Sequence, residues 1–158
     1  MTTQDAVSLL SARCLTPNAP MNREIQGGLA CDLLSHAMAH ACKGAAWVTV
    51  RSQMTVVAIA AMYGVACVIL ADGVEMDPQV SVKAEAEGIA VLQTRRSTYA
   101  VCRLLAQAGI PVEYAYAFIT RQADNACLIL KVKEDEAAEA LLEKEGVRSL
   151  SEQELNTL

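Results

Sequence analysis

Two adjacent arginines, Arg95 and Arg96, stand between an apolar run and a Ser–Thr pair in the stretch IAVLQTRRSTYAV, residues 89–101. Arginine presents a planar fork of N–H donors that can hold a phosphate or carboxylate group through two hydrogen bonds. Ser97 or Thr98 is a suitable residue to cap a helix, and the free N–H groups at a helix N-terminus also favour an anion. These residues therefore predict either an anion-binding site or a turn that the arginines keep solvated.

Arg51 and Ser52 follow a second apolar segment, AWVTV, in the same way. In an open parallel sheet, ligands bind beyond the carboxyl ends of the strands. If both apolar segments are strands of one such sheet, the residues that follow them lie at the same edge. The ligand-binding residues predicted at this edge are Arg51, Ser52, Thr94, Arg95, Arg96 and Ser97.

His36 and His40 are four residues apart, and Asp32 lies a further four residues back. On a helix this spacing brings side chains to one face, where they could hold a metal ion. The HExxH pattern is absent and the set of ligands is incomplete. We therefore predict no metal and no cofactor.

Sequence motifs for catalysis are also missing. The chain contains no GxxxxGK[ST], GxSxG or GxGxxG pattern, so it lacks the usual phosphate-binding loop, nucleophile elbow and dinucleotide-binding turn. No Ser/His/Asp set can be assembled from the spacing. The prediction is a non-catalytic protein, and a small enzyme that acts on a phosphorylated substrate at the arginine edge remains an alternative.

The composition is that of a folded protein, since 53% of the 158 residues are apolar and 20% are charged. The length suits one compact domain, or one domain with a small appendage. Residues 1–123 carry nine acidic and nine basic side chains, whereas residues 124–158 carry nine acidic and four basic ones. Neither part has the clustered basic face that nucleic acid requires, so no nucleic-acid partner is expected.

Six cysteines occur without a CxxC pair, mostly inside apolar runs, which is typical of small core residues in a reducing cytosol. The first ten residues lack the basic and apolar regions of a signal peptide. The apolar run at residues 55–70 is 16 residues long, shorter than the ~20 that a membrane-spanning helix needs. We therefore expect a cytoplasmic protein with no membrane partner.

A helix-like segment, a glycine and an apolar run follow one another repeatedly, at Gly44, Gly64, Gly88, Gly109 and Gly146. A glycine ends a helix readily because it adopts positive φ without strain. Helices that alternate with apolar strands predict an α/β fold with a mainly parallel sheet and helices on both faces. In the tail, VEYAYAFIT and ACLILKV flank the polar stretch RQADN, which predicts an antiparallel hairpin, followed by an acidic helix.

The segments NREIQGGLACDLLSHAMAHA, WVTV, GVACVILADG and EAEGIAVLQTRRSTYAVCRLLAQAGI resemble the DRTGG domain family over about residues 1–110. The motif that names the family falls at residues 22–28, where Arg23, Gly27 and Gly28 match it literally. The resemblance implies an α/β domain like the N-terminal domain of HPr kinase, of the kind found beside CBS domains in regulated pyrophosphatases. It also implies a regulatory, dimer-forming module in which these three motif residues have structural roles.

The tail carries a second resemblance, because RLLAQAGIPVEYAYAFIT and the segment from ACLILKV to SEQEL look like the later part of an ACT domain. That family is a β-α-β-β-α-β amino-acid sensor. Its first strand and helix would fall at residues 89–110, which already belong to the first resemblance. Either two modules share these residues, or the second lacks a strand and pairs elsewhere, which favours a second subunit. The Pro-Gly usual in an ACT effector loop is absent from Thr94–Ser97.

These observations predict a regulatory or ligand-sensing module that forms a homodimer, acts on an unidentified protein partner and binds a nucleotide or another anionic metabolite. We expect a DRTGG-like domain at residues 1–110 and an ACT-like segment at residues 111–158, with residues 89–110 either shared or part of the first domain alone. The alternatives are an amino-acid sensor that uses the tail and an assembly module without a ligand.

Overall fold

The computed structural model describes residues 1–119, 126–130, 135–144 and 148–149. The chain divides into two compact units, Met1–Glu113 and Tyr114–Leu158, and residues 89–110 lie in the first.

The first unit is an α/β domain built on a mixed sheet. Its elements are α1 (Thr3–Leu10), β1 (Arg13–Cys14), β2 (Gly27–Ala30), α2 (Leu34–His40), β3 (Ala45–Thr49), α3 (Met54–Tyr63), β4 (Cys67–Leu70), α4 (Pro78–Ala86), β5 (Ala90–Gln93) and α5 (Thr98–Gln107). Strands β2, β3, β4 and β5 pair in parallel, and β1 pairs with β5 in the antiparallel sense. The α/β class and the mainly parallel pairing are confirmed. The antiparallel strand β1 was not predicted from the sequence.

The long apolar run at residues 55–70 is divided by Gly64, which has a φ of +64° and ends α3. Its N–H donates to the carbonyls of Ala60 and Ala61, and β4 begins three residues later at Cys67. The apolar run is therefore a buried helix followed by a buried strand. In the part of the chain that the structure describes, no helix has both the length and the apolar character needed to span a bilayer.

Helices pack on both faces of the sheet. Leu29, Trp47, Val68 and Val91 are register partners on neighbouring strands, and all four belong to one buried cluster with residues of α2, α3 and α4. The indole N–H of Trp47 is satisfied by the carbonyl of Cys31 at 3.0 Å.

On the opposite face, α5 contacts β2 and β3 and also packs against α1. Val101 and Leu105 of α5 are buried, and so are Ala6 and Leu10 of α1.

In the second unit, β6 (Val112–Ile119), which begins in the first unit, pairs with β7 (Ala126–Leu130) in antiparallel register. Ala115 pairs with Leu130, and Ile119 pairs with Ala126. The helix α6 (Asp135–Lys144) follows. The expected hairpin and acidic helix are thus confirmed, while the expected turn at residues 121–125 lies outside the described residues.

Candidate functional site

The loops that follow β4 and β5 are joined by backbone hydrogen bonds. The Thr94 N–H donates to the Leu70 carbonyl at 2.9 Å, the Gly73 N–H to the Thr94 carbonyl at 2.8 Å, and the Asp72 N–H to the Arg96 carbonyl at 2.8 Å. Asp72 and Gly73 both have positive φ, at +55° and +69°, a conformation that glycine adopts without strain. The backbone of Thr94–Arg96 is therefore fixed at the carboxyl end of the sheet.

One carbonyl at the C-terminal end of α1 binds two side chains from this loop. The Leu10 oxygen accepts from Thr94 Oγ1 at 2.9 Å and from Arg96 Nε at 3.2 Å. The last carbonyls of a helix lack intrahelical donors and lie at the negative end of its dipole, where a cation is favoured. Thr94 is buried, with 3% of its surface exposed. Arg96 thus links the C-terminal end of α1 to the β5–α5 loop.

Arg95 is placed differently from its neighbour. Its side chain is exposed, and it has no hydrogen bond or ion pair with any residue that the structure describes. Its Cγ lies close to Gly73, where an added Cβ would be 3.8 Å away. Among the described residues, nothing therefore engages the guanidinium group of Arg95.

A third arginine, Arg13 on the edge strand β1, lies beside the end of β5. Arg13 Nη2 donates to Gln93 Oε1 at 2.8 Å, and Gln93 Nε2 donates to the Val74 carbonyl at 2.8 Å. This chain of hydrogen bonds fixes the orientation of the Gln93 amide and holds Arg13 beside it. Arg13 was not predicted from the sequence, because the only signal would have been its pairing with a residue 80 positions away.

These side chains line a cleft of about 650 Å³. Its lining residues are Leu10, Ser11, Arg13, Gly73, Glu75, Gln93, Thr94, Arg95 and Arg96. Three arginines and one carboxylate leave the lining with an excess of positive charge, and a concave surface of one sign attracts ligands of the opposite sign. The cleft is thus suited to hold an anion.

The other predicted ligand-binding residues do not line this cleft. Arg51 and Ser52 follow β3, where the Arg51 N–H donates to Thr49 Oγ1 at 3.1 Å. The buried Nε of Arg51 has no partner among the described residues. Ser97 is the N-cap of α5, and its hydroxyl accepts from the Ala100 N–H at 3.3 Å. The structure therefore groups Thr94, Arg95 and Arg96 with Arg13, and places the remaining three elsewhere.

The histidine pair of α2 is stacked, with ring centroids 4.0 Å apart. Asp32 does not join His36 and His40, because its carboxylate accepts from Thr49 Oγ1 at 2.7 Å and from the Val50 N–H at 2.8 Å. Within the described residues there is no cluster of three or more side chains that could hold a metal ion. Asp32 instead fixes the turn that follows β3.

Two core cysteines are poor nucleophiles. Burial raises the pKa of the Cys31 thiol to about 11 and that of the fully buried Cys67 thiol to about 12. Because the thiolate is the reactive form of cysteine, both side chains are protonated and inert near neutral pH.

The three motif residues lie where chain segments meet. Arg23 Nη1 donates to the Val65 carbonyl at 3.1 Å, which ties the segment before β2 to the start of β4. The Gly28 N–H donates to the Pro111 carbonyl at 2.7 Å. A Cβ at Gly28 would lie 2.9 Å from Val112 Cγ2, so this glycine permits the close approach of residues 111–112.

The comparisons with known proteins agree with this architecture. The family model of the DRTGG domain matches residues 5–108. The chain is also similar to the crystal structure of the CBS and DRTGG domains of the regulatory region of Clostridium perfringens pyrophosphatase, complexed with its activator diadenosine tetraphosphate. The TM-score is 0.52 at 16% identity, over 66% of this chain and 45% of that chain, so the likeness is one of fold. A comparison with curated proteins finds no match. Because the family model covers more than half of the sequence, the chain belongs to the DRTGG domain family.

Proposed function

We propose that the chain is a regulatory, ligand-sensing module that binds a nucleotide or another anionic metabolite in the cleft beside β5. The module works as a homodimer in the cytoplasm and acts on a protein partner. The observation that carries the ligand proposal is the Arg95 guanidinium, which has no partner among the described residues and lies on a cleft that Arg13 and Arg96 also line.

The hydrogen bonds of the three arginines leave donors for a ligand. Arg13 uses Nη2 for Gln93, and Arg96 uses Nε for Leu10. The remaining terminal nitrogens of both side chains, and the whole guanidinium of Arg95, are not engaged by any described residue. Charge-assisted hydrogen bonds from arginine to phosphate or carboxylate are stronger than those between neutral groups, which supports an anionic ligand.

The similar solved structure supports a ligand class to test first. That pyrophosphatase regulatory region was crystallised with diadenosine tetraphosphate, an activator that carries phosphate groups. The likeness to this chain is one of fold, and the ligand belongs to that protein. A nucleotide polyphosphate combines the negative charge that the cleft favours with a recognisable base, so it heads the panel of candidate ligands.

A regulatory role is also supported by the cleft's chemistry. Among the described residues, its lining contains no cysteine and no histidine, and its one carboxylate, Glu75, lies among three arginines. We therefore place the chain among modules that transmit a binding event and do not catalyse a reaction.

The tail carries the second candidate function. Its order of β6, β7 and α6 fits the strand, strand and helix of an ACT-like segment, while β5 and α5 belong to the first compact unit. We propose a boundary between the two modules near residues 110–114, and an amino-acid sensor in the tail is the alternative function.

Thermal unfolding against a panel of ligands tests these functions. The panel contains inorganic phosphate, adenine and uridine nucleotides, diadenosine tetraphosphate and the amino acids, with sodium chloride at matched ionic strength as control. A ligand at 100 times its dissociation constant stabilises by roughly 2.7 kcal/mol, which raises the Tm of a chain this long by roughly 5–10 °C. A rise in Tm with an anionic metabolite supports ligand binding in the cleft. A rise with one amino acid supports the alternative, an amino-acid sensor in the tail. If no ligand raises the Tm more than sodium chloride does, the ligand-sensing proposal is wrong.

A further inference from the structure

One carboxylate, Glu75, lines the cleft together with Arg13, Arg95 and Arg96. A cleft that served only to attract an anion would gain nothing from a carboxylate, because like charges repel. Nor does Glu75 neutralise an arginine, since it forms no ion pair and no hydrogen bond with any residue that the structure describes. The cleft therefore holds an acceptor group that the binding of a simple anion does not explain.

The backbone that carries Glu75 is held by the side-chain amide of Gln93. The amide nitrogen Nε2 donates to the Val74 carbonyl at 2.8 Å, and this carbonyl belongs to the peptide bond between Val74 and Glu75. A longer contact runs from the same nitrogen to the Gly73 carbonyl at 3.4 Å. The loop that carries Glu75 is therefore tied to the last residue of β5.

The same amide also holds a positively charged side chain. Gln93 Oε1 accepts from Arg13 Nη2 at 2.8 Å, so the oxygen of the amide fixes Arg13 while its nitrogen fixes the peptide that precedes Glu75. One uncharged side chain thus anchors a cationic residue and the backbone of an anionic one. The cleft consequently offers two kinds of group to a ligand, guanidinium donors and a carboxylate acceptor.

We propose that Glu75 binds the ribose hydroxyls of a ribonucleotide whose phosphate groups bind the three arginines. An ionised carboxylate only accepts hydrogen bonds, so the complementary group on a phosphorylated ligand is a hydroxyl. Carboxylates hold ribose hydroxyls in this way in dinucleotide-binding folds. The inference rests on the proposed anion cleft and narrows its ligand to an anion that also carries hydrogen-bond donors.

The charge of the cleft favours a nucleotide over an amino acid. Three arginines and one carboxylate give the lining a net charge of 3 − 1 = +2. A phosphate monoester carries about −1.5 to −2 at pH 7 and balances this excess, whereas an amino acid with one carboxylate and one ammonium group has no net charge. The size also fits, since about 650 Å³ lies within the range of about 300–1,000 Å³ that is typical of small-molecule sites.

Titration calorimetry with three probes tests the role of Glu75. The probes are adenosine 5′-diphosphate, its 2′,3′-dideoxy analogue, which lacks only the two ribose hydroxyls, and inorganic pyrophosphate, which lacks the nucleoside. We expect the unmodified chain to bind the ribonucleotide roughly ten-fold or more tightly than the dideoxy analogue, the scale of one hydrogen bond to a charged group. Glu75→Ala should bind the two nucleotides almost equally, because the acceptor is gone. It should bind pyrophosphate at least as tightly as the unmodified chain, because a like charge has been removed.

Glu24→Ala is the matched control. Glu24 is exposed like Glu75, and its removal changes the net charge of the chain by the same amount, but Glu24 is not one of the residues that line the cleft. We expect this variant to prefer the ribonucleotide as strongly as the unmodified chain does. If Glu24→Ala loses the preference as well, or if Glu75→Ala retains it, Glu75 does not bind the ribose.

The same titrations separate a failure of this inference from a failure of the anion cleft. If the unmodified chain binds both nucleotides equally, and Arg95→Ala weakens both by the same factor, the cleft binds anions and the role of Glu75 is wrong. Binding of pyrophosphate without binding of either nucleotide leads to the same conclusion. If none of the three probes binds, both the nucleotide ligand of the cleft and the role of Glu75 are wrong.

Discussion

Arg96 and Leu10 are joined by a hydrogen bond of 3.2 Å from the guanidinium Nε to the carbonyl at the end of α1. The neighbouring Arg95 makes no such bond within the described part of the chain. Two residues that are identical in type and adjacent in sequence therefore have different tasks. Arg96 connects two elements of the fold, and no described residue engages Arg95. We therefore expect Arg96→Ala mainly to lower stability and Arg95→Ala mainly to weaken ligand binding.

Arg95→Ala should weaken binding of the anionic ligand that the thermal panel identifies, or of inorganic phosphate, by at least about ten-fold, since it removes a charge-assisted contact worth roughly 1.5–3 kcal/mol. The stability of the free protein should change by less than about 0.5 kcal/mol, because an exposed, unbonded side chain is lost. Titration calorimetry measures the binding. Arg103→Ala is the matched control, since it removes the same charge from an exposed position on α5. Equal loss of affinity in the two variants would show a non-specific charge effect.

Arg96→Ala should destabilise the fold by about 1 kcal/mol, because it removes a hydrogen bond and a favourable charge at the end of α1. The single tryptophan, Trp47, is fully buried, so its fluorescence during urea unfolding reports the change. Arg95→Ala is the control and should leave the urea midpoint in place. If Arg96→Ala unfolds like the unmodified chain, the bond to Leu10 contributes nothing measurable.

Gly28→Ala should cost about 1–3 kcal/mol of stability, because the added Cβ would lie 2.9 Å from Val112 Cγ2 and the packed segments must move apart. Gly27→Ala is a close control, since its nearest contact would be the Pro111 carbonyl at an ordinary 3.8 Å. The same urea experiment compares the two variants. A larger loss in Gly27→Ala than in Gly28→Ala would contradict the role of Gly28 as the point of close approach.

Alkaline pH should destabilise the protein through its buried thiols. Burial raises the pKa of Cys31 to about 11 and that of Cys67 to about 12, from an ordinary 9.0. Above pH 9 the unfolded chain releases these protons while the folded chain retains them, so stability falls by about 1.4 kcal/mol per pH unit for each thiol until the folded pKa is reached. Below pH 9 the two thiols have no effect.

Urea midpoints at pH 8, 9, 10 and 11 measure this decline, and Cys67→Ala should flatten it relative to the unmodified chain. Cys42→Ser is the control, because Cys42 is exposed and its removal should leave the slope unchanged. A slope that is the same in all three proteins would mean that other groups dominate the alkaline transition.

The local pattern of the sequence was sufficient to predict most of the sheet. The segment CVIL coincides with β4, and AWVTV and IAVL overlap β3 and β5, because each is an apolar run bounded by a glycine turn and a polar loop. The strand β2 was missed since it begins with Gly27 and Gly28. Glycine is rare in strands, and Gly28 is there because residues 111–112 approach closely, which is a tertiary effect.

The candidate site could be predicted only in part, for a related reason. Because ligands bind beyond the carboxyl ends of parallel strands, the sequence predicted a site at Thr94, Arg95 and Arg96. These residues line the cleft. The same rule also pointed to Arg51 and Ser52, which lie at another strand end. Arg13 was not predicted, because the antiparallel pairing of a two-residue strand leaves no periodic signal in the sequence.

The cleft takes one wall from residues 10–13 and another from residues 93–96, and the bond between Arg13 and Gln93 spans 80 positions. A ligand that contacts both walls would therefore connect residues near the two ends of the first unit's sequence. During synthesis the cleft cannot exist until residue 96 has left the ribosome, so no shorter nascent chain could bind the proposed ligand there. Bound ligand would slow hydrogen exchange throughout the domain and not only at the loops that touch it, because partial unfolding of either end destroys the site.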